Sequence, residues 1–275
     1  MFINNSNLST LNTICQLTIN KISEWLLANR LTVNYDKTCY MIFSPTNVNI
    51  TPLELKLNIN NSVINKVAST KYLGIQIDEN LNWKFHINEL CLSLRKYVGV
   101  FYKLSLKLPP NVLKLLYYSI IYPRILYGIE VYANTYMINL HDLMILNNRI
   151  LRIIQHKPIT TNTNELYTSF NTLPINKLFQ YQMLIHAHAV YFRLPSLPDI
   201  FKNKRQLNNE VHMYNTRSSQ DFHRVSINSI FGNRISSNLG AKLWNLLPPN
   251  IKTENNRNTF AKLLKEYLKL QELKC

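Results

Sequence analysis

Residues 72–104 read YLGIQIDENLNWKFHINELCLSLRKYVGVFYKL, and within them the chain changes its period. The run up to Ile77 predicts a strand, Tyr72–Ile77, with Gly74 marking a bulge or a close backbone approach. Beyond Trp83 the apolar positions Leu90, Leu94, Val98, Phe101 and Leu104 step by 4, 4, 3 and 3. That spacing lays one apolar stripe along a helix that runs to the break at Pro109-Pro110. Strands precede this boundary and long helices follow it, so the fold class expected is α+β.

Toward the N-terminus, Leu11, Ile14, Leu17, Ile22, Trp25 and Leu26 fit one face of a helix over Ser9–Asn29. Strands are predicted at Leu31–Val33 and Cys39–Phe43, around a turn at Asn34-Tyr35-Asp36. Leu53–Leu57 alternates, and Asn60-Asn61 turns into Val63–Val67 as a hairpin, giving a small antiparallel sheet region over 31–80. Toward the C-terminus, helices are predicted from Asn111 to about Tyr122, where Pro123 bends or breaks the chain, from Asn139 to Ile154, and over 175–193. The Pro-, Asn-, Ser- and Arg-rich stretch 195–234 reads as a long loop or linker, and helices follow at Ser236–Leu247 and Asn258–Leu273. This partitions the chain into 1–82, 83–157, 158–194, 195–234 and 235–275.

Charge narrows the function. Among 275 residues, 31 Lys and Arg oppose 15 acids, a net +16. Such an excess favours polyanions through counterion release, although the 37 Asn and abundant Ile, Lys and Tyr are also what an AT-rich gene encodes. Only five residues are Asp: Asp36, Asp78, Asp142, Asp199 and Asp221. Two-metal phosphoryl chemistry needs several convergent carboxylates. The one adjacent acidic pair, Asp78 and Glu79, would point to opposite faces of a strand. No HExxH, Walker-type GK[ST], GxSxG or GxGxxG pattern occurs, and five glycines leave little material for a phosphate-cradling loop. His186 and His188, two apart on a helix, are unsuited to sharing a zinc ion. Cys15, Cys39, Cys91 and Cys275 are scattered, as expected of reduced intracellular thiols. No run of about 18 apolar residues appears, so no membrane span is expected.

Several segments together carry a resemblance. Trp25-Leu-Leu-Ala-Asn29-Arg-Leu31-Thr-Val-Asn34-Tyr-Asp-Lys37-Thr38 is followed by Lys71-Tyr72-Leu73-Gly74-Ile75-Gln-Ile77-Asp78 with Leu81, Trp83 and His86. Next come Leu116-Tyr117-Tyr-Ser119-Ile-Ile121-Tyr-Pro123 with Leu126-Tyr127, then Arg149, Leu151 and Arg152, with Asn147 where a Gln is common. Tyr214-Asn-Thr216-Arg217 and Gly240-Ala-Lys-Leu-Trp244-Asn245-Leu-Leu-Pro248, with Phe260, close the series. In this order they resemble the end of the palm, the thumb and the C-terminal extension of jockey-like non-LTR retrotransposon reverse transcriptases, over about residues 9–268. The resemblance implies the primer–template-gripping part of an RNA-directed DNA polymerase acting in the nucleus. The family's aromatic-Ala-Asp-Asp strand, which precedes the Trp25 helix, has no counterpart here, since residues 1–35 contain no Asp. The chain alone is therefore expected to be inactive as a polymerase and to need an upstream half. Magnesium is expected only for an intact family member, and no cofactor in this chain.

The same resemblance makes Lys71, Tyr72, Leu73 and Gly74 a primer-grip-like hairpin. It makes Lys37, in the fourth palm motif, a weak candidate general acid. From spacing, Lys96, Lys103 and Lys107 lie opposite Leu94 and Val98 and span roughly 16 Å, enough to follow several phosphates. Arg149 and Arg152 form a second basic pair. Across 84–157, ten Lys and Arg face Glu89, Glu130 and Asp142, a balance of +7. The expected partner is an RNA or DNA primer–template. A stand-alone nucleic-acid-binding protein, or a helical interaction module whose charge reflects codon usage, remain alternatives. Trp244, among Leu243, Leu246 and Leu247, reads as core more readily than as a base-stacking platform.

Overall fold

The computed structural model describes residues 1–43, 55–60, 62–195, 197–198, 205–212 and 217–272. It divides into two compact units, Met1–Phe85 and His86–Cys275, and the architecture is mixed α+β, mainly helical with small sheets.

In the first unit, helix α1 (Leu8–Ala28) starts where the Asn7 side chain accepts the Ser9 N–H. Its Cys15 and Ile19 meet Leu55, Leu57, Ile59 and Ile64 in a small core. Gln16 clamps the neighbouring strand edge, donating to the Asn58 carbonyl at 2.8 Å and accepting its N–H at 3.0 Å. After α1 the chain reverses through Arg30, which is left-handed (φ 56°), and Leu31 N–H returns to the Leu26 carbonyl. That reversal occupies Leu31, and the strand predicted at Leu31–Val33 does not form. The Asn34 side chain then accepts from Lys37 N–H, building a 3₁₀ turn over Tyr35–Lys37.

The strands are shorter than expected, and they do not form one antiparallel sheet. β1 (Cys39–Tyr40), β2 (Asn58–Ile59), β3 (Ser62–Val63), β4 (Asn65–Lys66), β5 (Ser69–Tyr72) and β6 (Ile75–Asp78) make three separate pairs. β1 and β4 are parallel, whereas β2–β3 and β5–β6 are antiparallel. Of the strand predicted at Leu53–Leu57, residues 53 and 54 lie outside the described residues. Leu55 and Leu57 are buried and Lys56 is exposed, as the alternation requires. Leu55 nevertheless has no strand partner, because the Tyr40 hydroxyl donates to its carbonyl (2.8 Å) and accepts its N–H (3.0 Å).

Tyr72–Ile77 is likewise not one strand. It is a hairpin with Tyr72 opposite Ile75, closed by Leu73 (φ 47°) and Gly74 (φ 81°). Two consecutive left-handed residues are the backbone of a type I′ turn, whose twist matches the flanking strands. Gly74 therefore serves the turn and not a bulge.

The second unit is helical. α2 (Lys84–Ser105) buries Leu90, Leu94, Val98 and Phe101 of the stripe predicted from spacing, with Ile87 and Cys91 beside them, and leaves Leu104 half-buried. α3 (Pro110–Leu116) continues through a π turn at Tyr117–Ile121 into α4 (Tyr122–Leu126). The wide turn sits directly before Pro123, where an α-helical register would lose a hydrogen bond and drive the ring into the preceding turn. The chain thus passes Pro123 still helical. α5 (Ile129–Tyr132), α6 (Met137–Ile154) and α7 (Thr163–Phe170) follow, and α8 (Ile175–Tyr191) is buried on most sides, as shown by Leu178, Phe179, Met183, Leu184, Ala187 and Val190.

The stretch predicted as a loop holds the short helices α9 (Asn208–Val211) and α10 (Ile230–Arg234). Its Phe222 is buried, and the Asn245 side chain both accepts the Phe222 N–H (3.0 Å) and donates to its carbonyl (2.9 Å). α11 (Ser236–Asn245), α12 (Pro249–Lys252) and α13 (Arg257–Glu272) complete the unit, with α11 and α13 packed on α8.

His188 on α8 is fully buried. It stacks on Phe260 at 4.2 Å, and its Nε2 lies 2.9 Å from the Glu254 carbonyl, which assigns the proton to that nitrogen. Its Nδ1 is buried without a partner. Burial holds its pKa below the ordinary 6.5, Arg257 pushes the same way, and the Glu254 carbonyl and carboxylate oppose them. A base kept neutral when folded takes up its proton on unfolding. Stability linked to His188 is thus fully present above about pH 6.5 and is lost as pH falls below it, by at most about 1.4 kcal/mol per pH unit. Unfolding measured between pH 7.5 and 5.5 should show a steeper loss in the wild type than in His188→Phe. Parallel curves would refute this assignment.

Candidate nucleic-acid interface

Lys71, Tyr72, Leu73 and Gly74 lie together at the hairpin tip, where Tyr72 and Leu73 are 63% and 72% exposed. Side chains of this size in solvent contribute nothing to the core, so the tip is presented outward. Lys37 ends the 3₁₀ turn, exposed, with its N–H bonded to Asn34. Residues 214–216 of the Tyr214-Asn-Thr216 motif lie outside the described residues.

Lys96 and Lys103 share the exposed side of α2, and Lys107 lies beyond its end, its N–H bonded to the Leu104 carbonyl. The three cations therefore do not ride a single helix, as their spacing suggested. The Lys96 ammonium is 5.4 Å from the Tyr97 ring centre, and the Arg124 guanidinium is 5.0 Å from the same ring. Arg124, on α4, joins this basic region over the Tyr97 ring, a contact that no local spacing reveals. Arg149 is exposed on α6, whereas Arg152 is half-buried and donates to the Thr161 carbonyl at 3.0 Å. Arg152 is thus spent on closing a loop, and the two arginines do not act as one exposed pair.

Other motif residues hold the fold. The Asp78 carboxylate is 2% exposed and accepts the backbone N–H groups of Asn80 (3.2 Å), Asn82 (3.1 Å) and Trp83 (2.9 Å). Its bonds explain why an Asp precedes the turn into α2. In the second unit His86 packs against Tyr132, with ring centres 5.0 Å apart. The buried Asn147 accepts from the Tyr117 hydroxyl and donates to the Tyr167 hydroxyl, linking the π turn, α6 and α7. Trp244 is fully buried and cannot stack on a base.

Among the described residues, no three His, Cys, Asp or Glu side chains converge as metal ligands would, and no helix is long and apolar enough to cross a membrane. No known family model matches the chain, nor does any curated protein or solved structure.

Proposed function

We propose that this chain binds RNA or DNA primer–template through phosphates, as the gripping part of a retroelement reverse transcriptase. On this reading the first unit is the end of a palm, with Lys71, Tyr72, Leu73 and Gly74 as the primer-grip hairpin, and α2–α6 form a thumb. The observation that carries it is the stretch between Glu89 and Glu130, which contains no acid and places Arg95, Lys96, Lys103, Lys107 and Arg124 at exposed positions. A duplex carries one charge per about 1.7 Å of axis, and an acid-free basic surface gains from each counterion it releases. On this reading polymerisation belongs to an upstream catalytic half, as the resemblance implies.

The test is a titration of a labelled RNA–DNA hybrid with the full chain across potassium chloride concentrations. Changing Lys96, Lys103 and Lys107 together to Glu should weaken binding without base preference. It should also reduce the slope of log K against log salt by roughly one unit for each phosphate no longer neutralised. A folded triple variant with the wild-type slope would move the binding face elsewhere. Wild-type protein that ignores the hybrid at modest salt would favour a helical protein-interaction module.

A further inference from the structure

Four of the five glycines have reasons inside the fold. Gly74 and Gly128 are left-handed, at φ 81° and 67°. A Cβ on Gly232 would lie 2.2 Å from Ile227 Cγ2, and one on Gly240 would lie 2.4 Å from Arg205 Nη2. Gly99 has no such reason. It sits in the middle of α2, exposed, and a Cβ there would meet nothing within 4 Å. A glycine inside an exposed helix lowers its stability relative to alanine. The residue thus weakens the helix and gives the rest of the chain nothing in return.

Its surroundings are specific. On a helix surface the neighbours of residue 99 are those three and four positions away. These are Arg95, Lys96, Tyr102 and Lys103, all exposed. Three cations and an aromatic ring therefore surround the one place on this face where the helix backbone is bare. Arg95 and Lys103 are about 12 Å apart along the axis, the length over which a duplex presents several phosphates. We propose that Gly99 is the point of closest approach of a nucleic-acid backbone, which enters the gap left by the missing side chain and is gripped by Arg95, Lys96 and Lys103. This rests on the nucleic-acid reading above and adds the contact itself. A second copy of this chain is a poor occupant, because a protein of net +16 would bring like charge to three cations.

The full-length chain with Gly99→Ala and Gly99→Leu tests it, using the labelled hybrid, thermal melting and sedimentation of the protein alone. Gly99→Ala should melt about 2–4 °C higher, yet bind several-fold more weakly. Gly99→Leu should keep wild-type circular dichroism and bind about tenfold more weakly, the loss expected when a charged group is held off its phosphate. Steeply salt-dependent wild-type binding that neither variant changes would overturn the Gly99 contact and leave the nucleic-acid reading standing. No salt-dependent binding by the wild type would overturn both. If Gly99→Leu altered sedimentation of the protein alone while the hybrid bound as before, the gap would belong to a protein interface and the proposal would fail.

Discussion

Trp244→Ala should lower the stability of the second unit by about 3–5 kcal/mol, the range for deleting a fully buried large aromatic side chain. Trp244 is wholly buried, with ring centres of Tyr191 at 4.8 Å, Phe222 at 5.8 Å, Phe260 at 5.8 Å and His188 at 6.3 Å. These neighbours come from α8, from the segment before α10 and from α13, so one side chain joins three otherwise distant stretches. Alanine would leave a cavity that four rings cannot all relax into. Trp244→Phe separates packing from polarity. The indole N–H is buried without a partner, and phenylalanine removes that penalty while keeping most of the apolar area. It should therefore cost far less than alanine. Denaturant unfolding followed by far-ultraviolet circular dichroism reports both variants, resolved for the second unit's transition. An alanine variant with an unchanged midpoint would show that this cluster is not the core joining α8, α11 and α13.

Period made the helices legible but not always their buried face: in α1, Ile14, Leu17, Ile22 and Trp25 of the expected apolar face are exposed, and Cys15 and Ile19 are buried instead. Leu90, Leu94, Val98 and Phe101 lie on the buried face of α2, with Leu104 half-buried at its end, and Pro248-Pro249 separates α11 from α13. The strands were not legible, for reasons outside any period. Leu55 is satisfied by a tyrosine hydroxyl 15 residues away, and Leu31 is consumed in the reversal after α1. Around Gly74 the period gives only the later strand: the left-handed Leu73 and Gly74 end β5 at Tyr72, and Ser69–Lys71, which carry no clear alternation, pair with Gln76–Asp78. The described residues of 195–234 are mostly irregular, as composition suggests, with two short helices that composition does not reveal. Around Phe222 the backbone is held by the Asn245 side chain, and the neighbouring Asp221 pairs with Lys252 at 2.9 Å.

The candidate site was half legible. Charge counting found Lys96 and Lys103, but charge alone cannot distinguish Arg149, which is exposed, from Arg152, which closes a loop. Nor does it find Arg124, brought to Tyr97 by tertiary packing. The signal for Gly99 was present in the sequence as a glycine amid a strong helical pattern. It becomes informative only once the space around it is known to be empty.

Asp78→Ala should cost the first unit about 3 kcal/mol or more, a large effect for a residue outside its apolar core. The carboxylate Oδ1 accepts from Asn80 and Asn82, and Oδ2 accepts from Trp83, whose N–H is buried. Hydrogen bonds to a charged acceptor contribute about 1.5–3 kcal/mol each, and buried donors left without one carry a desolvation penalty. The turn they hold is also strained, since Leu81 (φ 50°) and Trp83 (φ 64°) are both left-handed, which is uncommon for bulky side chains. Without the carboxylate nothing comparable fixes those angles, and Trp83 loses the backbone placement that keeps it buried. Asp78→Asn retains one acceptor oxygen but brings an amide group where N–H donors converge. It should be intermediate, and closer to alanine than its shape suggests. The measurement is the unfolding midpoint of the first unit, with amide exchange at Asn80, Asn82 and Trp83 as the local readout. Faster exchange at all three with a lowered midpoint is expected. If Asp78→Ala unfolded at the wild-type denaturant concentration, the turn into α2 would be held by something other than this carboxylate.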